Sequence, residues 1–155
     1  MTALIDYQLA TDATQVPETA QLERWVTTVL EHHPEEHRFE VTIRIVDADE
    51  SQALNAEYRD KNRPTNVLSF PFEAPQGIEL PLLGDLIICQ SVVAREATQQ
   101  QKPLMQHYAH MVIHGTLHLL GYDHMEDDDA ETMEQLERRL LARLDIPDPY
   151  LIEMQ

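Results

Sequence analysis

The sequence is poor in several residue types, and each shortage excludes a class of protein. A single cysteine among 155 residues, Cys89, cannot form an internal disulfide, so a disulfide-stabilised secreted domain is not expected. Only four glycines occur, and no segment has low complexity or repeats. No apolar run is long enough to cross a membrane, and Met1–Ala10 lacks the basic start of a signal peptide. These shortages predict a cytoplasmic protein with no membrane partner.

Positive charge is also scarce, because 11 Lys and Arg residues stand against 28 Asp and Glu residues, giving a formal net charge of -17. Such an acidic protein is not expected to coat nucleic acids or membrane surfaces in general. A local basic groove is still possible, and the densest positive cluster is the predicted loop 59–64, with Arg59, Lys61 and Arg63. The acidic residues crowd into positions 123–137, where the usual interpretation is a solvated helix with an acidic first turn.

The apolar pattern predicts one α+β domain over residues 1–155, a length that is sufficient for a sizeable core. Alternating or continuous apolar residues predict strands at 3–9, 39–45, 66–70 and 82–89. Helical periodicity predicts helices at 17–32, 49–58, 91–100, 103–120 and 128–144. The sum is a mixed sheet of about four strands covered by helices. Much of helix 103–120 is apolar, so we expect it to be the buried central helix.

The most distinctive stretch is His114–His124, with the skeleton H-x-x-x-H-x-x-G-x-x-H. On a helix, His114 and His118 lie about 40° apart, one turn above the other, so they can hold one metal ion. Gly121 is expected to end the helix in a left-handed conformation, after which His124 reaches the same ion. Three imidazoles leave a fourth position of a tetrahedral ion open, which is the pattern of a catalytic zinc site.

The same spacing occurs in the metzincin metalloproteases, H-E-x-x-H-x-x-G-x-x-H, but Gly115 replaces their glutamate base. The predicted site is therefore metzincin-like in its metal ligands and lacks the proton acceptor of a protease. His110 continues the same helical face, either as a donor behind the ligands or as a polar residue near the site. His107 is expected nearer the surface end of the helix. The histidines expected in a polar surface loop are His32, His33 and His37.

Three segments resemble the YbeY endoribonuclease family, and the resemblance extends over nearly the whole chain. The first segment begins at Tyr58-Arg59 and continues through Pro64-Thr-Asn-Val-Leu-Ser-Phe-Pro71, and the second is Leu83-Gly-Asp85. The third, His114–His124, contains the family pattern H-G-x-L-H-L-x-G-Y-D-H in full. Asn66 stands where many family members have aspartate.

The resemblance implies a metal-dependent endoribonuclease of the bacterial cytoplasm that is specific for single-stranded RNA. It implies action on the 3′ end of 16S ribosomal RNA in the small subunit and in ribosome quality control. It also places the family's functional arginine at Arg59, for which the alternative is a structural ion pair with Glu57 or Asp60. Because so acidic a chain should bind RNA weakly alone, ribosomal or assembly-factor proteins are expected to deliver the substrate. The implied ligands of one zinc ion are His114, His118 and His124.

The chemistry of these residues fits RNA better than a peptide. The ribose 2′-hydroxyl can attack the adjacent phosphate, so the enzyme needs mainly to neutralise phosphorane charge, as Arg59 and zinc can. If water is the nucleophile, Asp85 and Asp123 are the candidate bases, and their structural alternatives are a strand end and a turn. Two other classes stay open. A metzincin-like protease or other zinc hydrolase is disfavoured because Gly115 replaces the glutamate base. A non-catalytic assembly factor that uses zinc for its shape is disfavoured because only three ligands are evident, whereas structural zinc sites have four.

Overall fold

The computed structural model of the chain describes residues 2–123 and 125–151, and within them it is an α+β fold of four strands and five helices. Every element begins and ends within two residues of its predicted bounds. None of the described helices is both long and apolar enough to span a membrane. The elements in chain order are β1 (Leu4–Ala10), α1 (Thr19–Glu31), β2 (Glu40–Val46), α2 (Ala48–Arg59), β3 (Val67–Pro71), β4 (Leu82–Cys89), α3 (Gln90–Gln99), α4 (Leu104–Leu119) and α5 (Asp127–Arg143).

The four strands form one mixed sheet in the order β1-β2-β4-β3. β1 pairs with β2 and β2 with β4 in parallel, whereas β3 runs antiparallel to β4. The continuous apolar run of β4 predicted a central position, and this is confirmed. β3 is an edge strand, so every second backbone carbonyl along it points outward from the sheet.

Helix α4 is the buried central helix, as predicted. It packs against β3 and β4 on one side and against α1, α3 and α5 on the others, and most of its residues are buried. A Cβ atom at Gly115 would lie 2.7 Å from Cδ2 of Leu86 on β4 and 3.2 Å from Oγ of Ser69 on β3. The helix therefore approaches the sheet closely at this glycine, which is the residue next to His114.

The C-terminal end of α4 has the geometry predicted from its glycine. Gly121 has a φ of 102°, its N–H donates to the carbonyl of His118 at 3.0 Å, and the Tyr122 N–H donates to the carbonyl of Leu117 at 3.0 Å. These two hydrogen bonds form a Schellman motif, which satisfies the last carbonyls of a helix. The motif turns the chain back over the end of α4 and fixes the position of Tyr122.

Candidate metal centre

His114 and His118 lie one helical turn apart on α4 and direct the same ring nitrogen toward each other. Their Nε2 atoms are 3.1 Å apart, and their ring planes cross at 80°. The His114 side chain is 23% exposed, so the pair is accessible from one side. The predicted placement of these two imidazoles, one turn above the other, is therefore present. The third predicted ligand, His124, lies outside the described residues.

The turn that ends α4 orients the His118 ring. Its Nδ1 donates to the backbone carbonyl of Tyr122 at 2.9 Å, and a carbonyl can only accept, so Nδ1 carries the hydrogen. The Tyr122 hydroxyl is in turn 2.8 Å from Nε2 of His33 at the end of α1. His33 was expected at the surface and is instead half-buried, because it packs against Tyr122. The exposed neighbours His32 and His37 agree with the prediction.

Glu137 on α5 orients the His114 ring. Its Oε1 accepts from Nδ1 of His114 at 3.1 Å, and the same carboxylate accepts from Nε2 of His110 and from the Tyr150 hydroxyl. Burial alone would raise the pKa of Glu137, but the hydrogen bonds from His110 and His114 outweigh it and hold the pKa at about 2. The carboxylate is therefore ionised although no part of the side chain is exposed.

The sequence interpretation missed Glu137, which was grouped with the solvated acidic residues of 123–137. The structure buries it completely, and this corrects the prediction. The available signal was its phase, because Glu137 follows Met133 by four residues and precedes Leu140 by three, on the inner stripe of α5. A charged residue on such a stripe needs partners, and the partners are the histidines of α4.

The donor set fits a metal ion. Both Nδ1 atoms face oxygen acceptors, and the Nε2 atoms of His114 and His118 face each other at 3.1 Å, where each would offer a lone pair when Nδ1 carries the hydrogen. Two such nitrogens on a tetrahedral zinc ion, each about 2.0–2.1 Å from it, would be about 3.3 Å apart. Histidine ligands commonly donate their other N–H to a carboxylate or a backbone carbonyl, as these two do. A second set of mutually close ligand atoms, within 4.8 Å of one another, comes from His110, His114 and Glu137.

His110 and His107 continue the histidine stripe of α4 and both are buried. His110 hydrogen-bonds Glu137, the carboxylate that also bonds His114. Of the two roles expected for His110, this position fits that of a polar residue directly behind the histidine pair. Burial lowers the pKa of His110 despite the nearby carboxylate, and Nε2 is the ring nitrogen that contacts Glu137. His107 was expected near the surface and is only 2% exposed, which corrects that prediction. The reason is Glu96 on α3, whose carboxylate bonds Nε2 of His107 at 2.9 Å.

Asn66 belongs to the same hydrogen-bond network and is half-buried. Its Nδ2 lies 3.2 Å and 3.3 Å from the two carboxylate oxygens of Glu96, and its Oδ1 accepts from the Val67 N–H at 2.6 Å. An aspartate could accept from Val67 but would face Glu96 with a like charge. The amide of Asn66 is thus matched by an acidic side chain on α3.

Arg59 ends α2 beside the open edge of β3. Its Nη2 donates to the outward carbonyl of Ser69 at 2.8 Å, and its guanidinium lies over the Phe70 ring at 5.2 Å. Among the described ion pairs it has none with Glu57 or Asp60, which were its expected alternative partners. Ser69 reaches α4 with its side chain next to Gly115, so this strand residue lies between Arg59 and α4.

The two candidate bases lie in different settings. Asp85 is exposed within β4, and it points to the sheet face opposite that of Leu86, which packs on α4. Asp123 is exposed and directly follows Tyr122, whose carbonyl accepts from His118, and its Oδ1 accepts the Met125 N–H at 3.2 Å. Asp85 is therefore on the wrong face to serve His114, and Asp123 shapes the turn.

Three comparisons with known proteins bear on the family and the fold of this chain. The family model described as Endoribonuclease YbeY matches residues 6–145. A relative from Chromohalobacter salexigens, named Endoribonuclease YbeY, is 62% identical over 152 residues, 97% of this chain and 99% of the relative. The solution structure of TM1509 from Thermotoga maritima aligns with a TM-score of 0.55 over 92% of both chains. Its identity is 23%, so this likeness concerns the fold alone.

Proposed function

The chain belongs to the Endoribonuclease YbeY family, as its motif segments predicted, and on this premise we propose that it is a zinc-dependent enzyme that cuts single-stranded RNA. The proposed zinc ligands are His114, His118 and His124, and the proposed phosphate-binding residue is Arg59. The observation that best supports a metal ion is the distance of 3.1 Å between Nε2 of His114 and Nε2 of His118. The Nδ1 atom of each ring bonds an oxygen of Glu137 or Tyr122.

Charge balance supports a cation at this place. Glu137 is ionised and fully buried, and the described side chains that hydrogen-bond it are His110, His114 and Tyr150. Buried charges in proteins are paired or contact metal ions, because an isolated buried charge is very costly. A cation on Nε2 of His114 would balance the carboxylate on Nδ1 of the same ring.

The pair His114 and His118 suits a metal better than the set that includes Glu137. In that second set, Nε2 of His110 and Oε2 of Glu137 are already in direct contact at 2.5 Å. Two ligands of one zinc ion, each about 2 Å from it, stand more than 3 Å apart in tetrahedral geometry. We therefore assign Glu137 and His110 to orienting His114, and we assign Nε2 of His114 and Nε2 of His118 to the metal.

The residues present favour phosphate chemistry. A zinc ion would supply Lewis acidity toward the phosphoryl group. Arg59 has a planar fork of donors that matches two phosphate oxygens, and its place at the β3 edge lets a strand of RNA lie along Ser69. The nucleophile that needs the fewest additional groups is the ribose 2′-hydroxyl. A protease is disfavoured further, because a glutamate at position 115 would project into Leu86 and the sheet.

The finer proposal rests on the family resemblance. We place the enzyme in the bacterial cytoplasm, acting on the 3′ end of 16S ribosomal RNA and in ribosome quality control. The net charge of -17 opposes RNA binding by the isolated protein, so a ribosomal particle or an assembly-factor protein is proposed to bring the RNA to the site.

The test combines metal analysis with cleavage of a labelled single-stranded RNA. We expect one zinc ion per chain in the wild type and loss of that zinc in His118→Ala. Arg59→Glu should keep its zinc and lose about 1 kcal/mol of stability, the usual net value of a hydrogen bond such as that to Ser69. Its cleavage rate should fall roughly 10²- to 10³-fold, as when one transition-state donor is removed. Arg59→Lys should recover only part of it.

Arg24→Glu is the matched control, because it makes the same charge change at an exposed position on α1. Cleavage by this control should stay close to wild type. Equal cleavage by Arg59→Glu and Arg24→Glu would remove Arg59 from the proposal, and full zinc content in His118→Ala would remove the metal site.

A further inference from the structure

The end of the described chain, residues 148–151, is fastened across the buried carboxylate of the metal centre. Asp148 accepts from Nε of Arg138 on α5 at 3.2 Å and from the Tyr150 N–H at 2.8 Å. Lys102, just before α4, donates to the carbonyl of Pro149 at 3.1 Å. The Arg138 guanidinium also lies over the Tyr150 ring at 5.1 Å. We call residues 148–151 the C-terminal strap.

The strap brings one polar group to the centre, the hydroxyl of Tyr150. It lies 2.9 Å and 3.0 Å from the two oxygens of Glu137, and the Tyr150 ring packs edge-on against His110 at 5.5 Å. A carboxylate has about four acceptor positions, and His110, His114 and Tyr150 fill three of them from three directions. Hydrogen bonds from His110 and Tyr150 therefore hold the Glu137 carboxylate in the position from which it bonds His114.

We propose that Tyr150 is a positioning residue of the metal centre, because its hydroxyl fixes the Glu137 carboxylate that orients the ligand His114. This inference rests on the metal site of the proposed function. Tyr150 lies beyond residue 145, where the match to the family model ends. The strap would act on metal affinity and geometry, and it would not touch the RNA.

The chain offers a set of variants that separates this role from a general effect on stability. Tyr150→Phe removes the hydroxyl and keeps the ring on Arg138, so the strap stays fastened. Glu137→Gln keeps the shape of the side chain and removes its charge. Tyr7→Phe is the matched control, because it removes a partly buried hydroxyl that donates to the Pro17 carbonyl at 2.7 Å, in the connection between β1 and α1.

The measurement is the zinc affinity of each full-length protein from competition with a chelator, alongside thermal unfolding of the metal-free forms. Glu137→Gln should bind zinc roughly 10- to 100-fold more weakly, the usual effect of losing the direct partner of a histidine ligand. Tyr150→Phe, one step further out, should weaken binding roughly 3- to 10-fold. The double variant should equal Glu137→Gln within about twofold, because Tyr150 acts through Glu137. Tyr7→Phe should bind zinc like the wild type.

The outcomes distinguish the inference from its premise. A Tyr150→Phe protein with wild-type zinc affinity, or losses that simply add in the double variant, would overturn the role of Tyr150 and leave the metal site intact. A wild-type protein that binds no stoichiometric zinc would overturn the metal site and the role of Tyr150 together. If Glu137→Gln fails to fold, the comparison of Tyr150→Phe with Tyr7→Phe still decides the question.

Discussion

The glycine that ends α4 gives a sharp test of how the backbone builds the metal centre. A Cβ atom at Gly121 would meet nothing within 4 Å, so Gly121→Ala adds no steric clash. Its φ of 102° is nevertheless a left-handed conformation, which costs an L-residue about 1–2 kcal/mol. For a chain of this length, 1 kcal/mol shifts the melting temperature by roughly 2–4 °C. We expect the melting temperature of Gly121→Ala to fall by about 2–8 °C.

The same substitution should weaken zinc binding, since the strained turn relaxes by moving Tyr122. The Tyr122 carbonyl accepts the Nδ1 hydrogen of His118, and losing such a partner costs roughly 10- to 100-fold in metal affinity. Gly77→Ala is the matched control, because Gly77 also has a positive φ, 82°, and an open Cβ position, but lies in an exposed loop. Its strain should leave zinc affinity unchanged. A Gly121→Ala protein that melts earlier yet binds zinc as tightly as Gly77→Ala would refute the role of the turn.

Two further substitutions test contacts outside the pair His114 and His118. Asn66→Asp places two carboxylates together, and it should lower the free energy of unfolding by about 1.5–3 kcal/mol, the usual value of a hydrogen bond to a charged group. Thermal unfolding should show this loss, and the double variant Asn66→Asp/Glu96→Gln should recover it. An unchanged melting temperature of Asn66→Asp would contradict the network. Hydrogen bonds from Arg38 lower the pKa of Glu36 to about 2, so its ionised form stabilises the fold above the unfolded pKa and this is lost as pH falls. Between about pH 5 and pH 2, wild type should therefore lose more stability in urea titrations than Glu36→Gln, and equal losses would contradict the pairing.

The elements of the fold were predictable because each has a pattern of the right period. β2 alternates Val41, Ile43 and Ile45 toward the core, and α5 repeats Met133, Leu136 and Leu140 at helical spacing. The order of the strands was not predictable in the same way. A period of two tells which face of a strand is buried and does not tell which strand lies beside it, so the position of β3 next to β4 required the structure.

The candidate metal centre was predictable only where its geometry is local. His114, His118 and Gly121 belong to one helix and its end, so their spacing fixes their relation. Glu137 comes from another helix, and nothing in the spacing between 114 and 137 indicates that they meet. Its partner Tyr150 is further still along the chain, in a segment without periodicity, where sequence patterns carry no signal.

The histidine stripe of α4 shows why these distant residues are required. His107, His110, His114 and His118 lie along one face of a buried helix, which an apolar core would not tolerate without partners. Each ring donates to an oxygen from outside the helix, and the acceptors are Glu96 on α3, Glu137 on α5 and the Tyr122 carbonyl. The packing of α3 and α5 on α4 thus sets the directions of the imidazoles. A substitution that shifts α5 against α4 should therefore alter metal affinity even where it touches no metal ligand.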